Sequence, residues 1–113
     1  MDKVLSMIGM AKRAGKTSTG SFICEKAIKN GSAKLIVLAV DISENSFKSI
    51  KNACEHYNVR YITYGDKDSL GTFTGGGDRA VVSINDDNFA EAVLKKYSEA
   101  KAAGMTEGKD GDF

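Results

Sequence analysis

The sequence predicts an α/β fold, a three-layer α/β/α sandwich around a mixed sheet of about four strands. Three observations carry this. Segments with helical apolar spacing alternate with short β-type runs along the whole chain. One of those runs, Leu35 to Val40, is apolar without interruption, as in strands buried on both faces of a sheet. The connections are short, and the chain contains no proline. At 113 residues there is room for one hydrophobic core, expected over residues 1–100.

Val4, Leu5, Ile8 and Ala11 form a stripe, so residues 3–13 read as a helix closed by Gly15. Thr17 to Thr19 can form a very short strand. Ser21 to Asn30 reads as a second helix, with Phe22, Ile23 and Ala27 facing inward, Cys24 as a further inward candidate, and Gly31 at its end. The strand from Lys34 to Val40 follows. Ser43 can cap a third helix whose stripe is Phe47, Ile50, Cys54 and Tyr57. Arg60 to Tyr64 is the next strand, and Asp66 to Leu70 a single helical turn ended by Gly71. A glycine-rich loop, Thr72 to Gly77, leads into a strand from Arg79 to Ile84. Asn88 and Glu91 have the spacing of a capping box opening the last helix, which carries Phe89, Val93 and Tyr97, while Asp86 and Asp87 also sit where a helix cap is wanted. Residues 101–113 carry three glycines and no stripe, and are expected to form a flexible tail.

Composition narrows the function classes. The hydrophobic share of 42% is ordinary for a soluble domain, and a six-residue apolar run is too short to cross a bilayer. The N-terminus lacks a signal-peptide layout, so a cytoplasmic protein with no membrane partner is expected. Cys24 and Cys54 both fall in helices, with a single His56 in the chain, so core packing is expected rather than a zinc site or disulfide. The net charge of +1 hides an asymmetry: seven lysines and arginines against two acids through Lys34, then nine against thirteen. That is either a basic face for a polyanion or a scatter of solvated lysines.

Two glycine motifs need separating from their lookalikes. Gly15-Lys16-Thr17 spells the end of a nucleotide-binding P-loop, but Met10 stands where that motif needs glycine, and a helix precedes it instead of a strand. Gly71 with Gly75, Gly76 and Gly77 opens a strand instead of a helix, unlike a dinucleotide fingerprint. It is either a plain connection or a loop whose bare backbone can approach a ligand. No nucleophile, base and carboxylate assemble, and no polar set converges on a small-molecule pocket. Neither an enzyme nor a cofactor is expected. What remains is a helix start beside Lys12, Arg13 and Lys16, where phosphate can dock.

In this order the elements resemble the kink-turn RNA-binding ribosomal protein family, the L7Ae group, and most of all its small bacterial, YlxQ-like branch. The resemblance spans residues 3–97. It rests on LSMIGMAKRAGKTSTG, on the helix–strand unit GSFICEKAIKNGSAKLIVLAVD, and on Leu70-Gly71 followed by Gly75. It implies an α/β/α sandwich that binds sharply bent RNA at one end. The family's Gly-Thr-Asn-Glu helix start falls on Gly20, Ser21, Phe22 and Ile23, so the first position matches and the second is conservative. Phe22 and Ile23 replace the two polar residues that would read base edges. Phe22 is thereby either a surface for a splayed base or a core residue.

The resemblance also matches Lys26 to a phosphate-contacting lysine and Asp41 to an acidic position at the same end. It matches Thr74, Gly75 and Gly76 to the loop over the unstacked base. With Lys12 and Lys16 as further phosphate contacts, these residues are the expected RNA-binding set. The implied partners are structured RNA, ribosomal RNA included, and the ribosome or another ribonucleoprotein, with the chain as a monomer. A protein-interaction adaptor on the same fold is the alternative.

Overall fold

The computed structural model describes residues 2–106 and the backbone of 110–111. In chain order the elements are α1 (Lys3–Arg13), β1 (Thr17–Thr19), α2 (Ser21–Lys29), β2 (Leu35–Leu38), α3 (Glu44–Tyr57), β3 (Tyr61–Thr63), α4 (Lys67–Phe73), β4 (Val81–Ile84), α5 (Asp87–Ala102) and β5 (Asp110–Gly111). The sheet order is β1-β4-β2-β3-β5. Among the described residues only β2 and β3 run parallel, and β4 is antiparallel to both β1 and β2. The expected α/β/α sandwich with a mixed sheet is therefore what the chain adopts.

The layers follow from the apolar stripes. Val4, Leu5 and Ile8 of α1, Leu70 of α4, and Val93 and Tyr97 of α5 pack on one face of the sheet. Cys24 and Ile28 of α2, with Ile50 and Cys54 of α3, cover the other. Strand β2 serves both, Leu35 and Val37 to the first core and Ile36 and Leu38 to the second. Its unbroken apolar run thus has a physical cause, since each such side chain gains about 1.5–3 kcal/mol on burial. Both cysteines are free and fully buried, and desolvation pushes each thiol up to about 12. The Tyr64 hydroxyl donates to Asp2 Oδ2 at 2.7 Å, while Asp2 Oδ1 accepts the Leu5 N–H at 2.9 Å, tying the start of α1 to β3.

Local expectations fail in three places. Gly71 does not end the fourth helix but lies inside it, buried. The Asn88–Glu91 box does not form: of the candidate caps for α5 it is Asp86 that accepts from the Phe89 N–H, at 2.9 Å. Glu91 instead pairs with Arg60 across to the start of β3, at 2.6 Å. Tyr57, assigned to the buried stripe of α3, is exposed. Of the expected tail, residues 101–106 complete α5 and its turn, with the Met105 N–H donating to the Ala100 carbonyl at 2.8 Å. Residues 107–109 and 112–113 lie outside the described residues, and Asp110–Gly111 pairs antiparallel with β3 as a fifth strand.

Candidate nucleic-acid interface

Antiparallel pairing of β4 with β1 and β2 gathers three chain segments at one edge of the sheet. The ends of β1 and β2 lie there beside the entry to β4. The Gly20 N–H donates to the Val81 carbonyl at 3.2 Å, and the Ala39 N–H to the Ala80 carbonyl at 2.8 Å. Next along the edge, the Val40 N–H donates to the Gly65 carbonyl at 2.8 Å. The start of α2, the turn after β2, the start of α4 and the glycine-rich loop are therefore neighbours.

Gly20 turns the chain from β1 into α2 with φ of +94°, a conformation that favours glycine. Its carbonyl accepts the Cys24 N–H at 2.9 Å, and no side chain caps this helix start. The first-turn N–H groups are consequently left to an outside acceptor. Beneath them the Cys24 thiol, lying 3.5 Å from the Ser18 carbonyl, fixes α2 on β1. Ser21, Phe22 and Ile23 are exposed, Phe22 at 77% and Ile23 at 54%. Core packing of Phe22 and the expected inward facing of Ile23 are both excluded, because Cys24, Ala27 and Ile28 form the buried side of α2. Lys26, one turn further on, is also exposed.

The glycine loop is built tightly. Gly75, Gly76 and Gly77 have φ of +115°, +97° and +73°. The Gly76 N–H donates to the Gly71 carbonyl at 2.6 Å, and a Cβ on Gly71 would fall 1.5 Å from the Gly77 carbonyl oxygen. Thr74 is buried, its hydroxyl donating to the Leu70 carbonyl at 2.6 Å, so it shapes the loop rather than facing solvent. Gly75 and Gly76 are exposed at the tip. The aliphatic stem of Lys12 runs past Gly75, with Cε 3.6 Å from where a Cβ would stand.

Asp41 lies on the same edge, but one oxygen of its carboxylate accepts the Lys67 N–H at 2.9 Å and so helps to fix the start of α4. Asp66 caps that helix, and hydrogen bonds from the Ser69 N–H and hydroxyl hold its carboxyl below the usual range. Lys16 is separated from the others. Its carbonyl accepts the Asn85 N–H at 2.8 Å, which puts it at the opposite end of β1, beside the end of β4.

Two site residues escape a reading of the sequence. Arg79 reads there as the first residue of a strand, yet it precedes β4 and its guanidinium lies beside the glycine loop. Its Nη1 is 3.8 Å from a Cβ built on Gly77, and its buried Nε has no hydrogen-bond partner among the described residues. Val40 reads as the end of a buried strand, but β2 stops at Leu38 and leaves Val40 62% exposed. The signal for Arg79 was its position directly behind the glycine cluster. Among the described residues no group of three or more His, Cys, Asp or Glu could hold a metal ion. No described helix is long and apolar enough to cross a membrane.

The model of the ribosomal protein L7Ae/L30e/S12e/Gadd45 family matches residues 2–95. The chain is 34% identical over 88 residues to the RNA-binding protein YlxQ of Bacillus subtilis, covering 78% of this chain and 88% of that protein. It is 31% identical to the large ribosomal subunit protein eL8 of Picrophilus torridus, covering 95% of this chain and 87% of that protein. A solved structure of a Bacillus halodurans protein of unknown function superposes with a TM-score of 0.83 at 28% identity, covering 87% of this chain and 99% of that one.

Proposed function

Since this chain belongs to the ribosomal protein L7Ae/L30e/S12e/Gadd45 family, in its YlxQ-like branch, we infer that it binds structured, kink-turn-like RNA on or beside the ribosome. It acts as a cytoplasmic monomer and not as an enzyme. The observation that carries this reading is the convergence of an uncapped helix start at Gly20-Ser21 with a bare glycine loop, with Lys12 and Arg79 against the loop and an exposed Lys26 further along the helix. Backbone N–H groups and lysines suit phosphate, which positions RNA without reading its sequence. Relatives named as an RNA-binding protein and as ribosomal proteins support the same class.

Binding should be measured to a kink-turn RNA and to an unbent duplex at two salt concentrations. The bent RNA should bind more tightly, with affinity falling as salt rises because counterions are released from each neutralised phosphate. No binding to either RNA at low salt overturns the reading. Exposure of Phe22, Ile23 and Val40 on the same edge favours a protein-interaction adaptor as the second reading. Lys26→Glu separates the two, since an RNA binder loses affinity and salt slope whereas an adaptor keeps its partner.

A further inference from the structure

Phe22 and Ile23 are two of the most exposed large apolar side chains among the described residues, and they stand side by side at the first turn of α2. Leaving a phenyl ring 77% exposed forgoes most of the free energy its burial would supply. The sequence had an alternative, because the inward positions of α2 are filled by Cys24, Ala27 and Ile28, all buried. Phe22 is therefore not a misplaced core residue. It is a surface aromatic on a rigid element.

Its surroundings select the kind of ligand. The Gly20 to Val81 backbone bond fixes the frame: Phe22 lies two residues after it along α2, and Arg79 two residues before it along the entry to β4. Lys26 follows one turn on, and the loop of Gly75 and Gly76 presents backbone with no side chains. An apolar partner surface would gain nothing from these cations, whereas a nucleotide uses both features, its base on the ring and its phosphate on the charge. The exposed first turn also lacks bidentate base-edge readers, since Ser21 offers a single hydroxyl that suits any base. It holds no Asn, Gln or Arg, and the Glu25 carboxylate already accepts from the Ser49 hydroxyl at 3.3 Å. Without bidentate donors and acceptors, the four bases are not told apart by their edges.

We propose that Phe22, with Ile23 beside it, is a stacking platform for one unpaired RNA base whose phosphate is held by Lys26 and Arg79. The site then distinguishes unpaired from paired nucleotides, with little regard to which base is present. This rests on the RNA-binding reading above and narrows it.

The chain contains no tryptophan, so Phe22→Trp places a single indole on the platform. Titrating that variant with a blunt RNA duplex carrying a one-base bulge should quench its fluorescence, while a fully paired blunt duplex of the same length should not. Phe22→Ala should weaken binding of the bulged duplex roughly 5- to 150-fold, the range expected for loss of one stacked base, and leave the salt slope unchanged. Phe22→Tyr should restore binding, and changing the bulged base among A, C, G and U should alter affinity by less than about tenfold. Salt-dependent RNA binding that Phe22→Ala does not weaken, without indole quenching, overturns the platform and leaves the RNA-binding reading standing. No binding of any RNA by the unmodified chain at low salt overturns both. Since Phe22 is exposed, loss of folding does not confuse the outcome, and circular dichroism of each variant checks it.

Discussion

Gly71 packs its bare Cα against the backbone of Gly77, and a methyl group there would fall 1.5 Å from a carbonyl oxygen. Backbone cannot swing aside as a side-chain tip can, so Gly71→Ala must displace either α4 or the loop. It should lower stability by about 3 kcal/mol, at the upper end of overpacking costs. Gly76→Ala meets open space and carries only the strain of a φ of +97°, so roughly 1–2 kcal/mol is expected. Urea midpoints of the two variants check that order, and equal midpoints would refute it. The sequence shows the glycines but not this difference. Gly71 reads locally as a helix stop, because its real partner lies six residues on, across a turn no spacing rule specifies. Phe22 was ambiguous for a similar reason: it borders the buried stripe of α2, and only the placement of that helix on β1 decides which side it faces.

At the scale of elements, α2 and α3 form one layer, and both carry a cysteine into it. An unfolded thiol ionises near 9.0, whereas burial holds Cys24 and Cys54 protonated to about 12. Folded values raised above unfolded ones mean that the stabilisation is complete below about pH 9 and declines as pH climbs toward 12, by at most ~1.4 kcal/mol per pH unit for each thiol. The urea midpoint should therefore be flat from pH 7 to 9 and fall by pH 10.5. The fall should be shallower in Cys54→Ala, and an unchanged midpoint at pH 10.5 would count against this burial. Element positions were well marked in the sequence, since period and capping chemistry are local: α1 and β1 begin and end where the spacing put them. Caps were harder. Asp86 won over Asn88 because the helix starts two residues earlier, and Glu91 was then free to meet Arg60, a contact with no local signature.

Across the whole molecule the basic opening segment does not form one patch. Strand β1 carries the chain from one end of the strands to the other, leaving Lys16 beside Asn85 while Gly20, and the helix start that leads to Lys26, lie at the loop end. Three strand residues span about 10 Å, near a Debye length at physiological salt. Lys16→Glu should then change RNA affinity by no more than about twofold at 0.15 M salt, against a larger loss for Lys26→Glu. Equal losses would mean that RNA wraps both ends. The charge count saw the asymmetry but could not divide it, because the turnover of a three-residue strand decides which lysines are neighbours. The clasp between Gly71 and the glycine loop decides which of two binding partners must yield. A loop held by backbone contacts to a packed helix has little ordering left to do when a ligand arrives, and little room to adapt. The protein arrives as a mould, and the cost of changing shape falls on the nucleic acid. RNAs already bent before contact would then be favoured over straight ones of the same sequence.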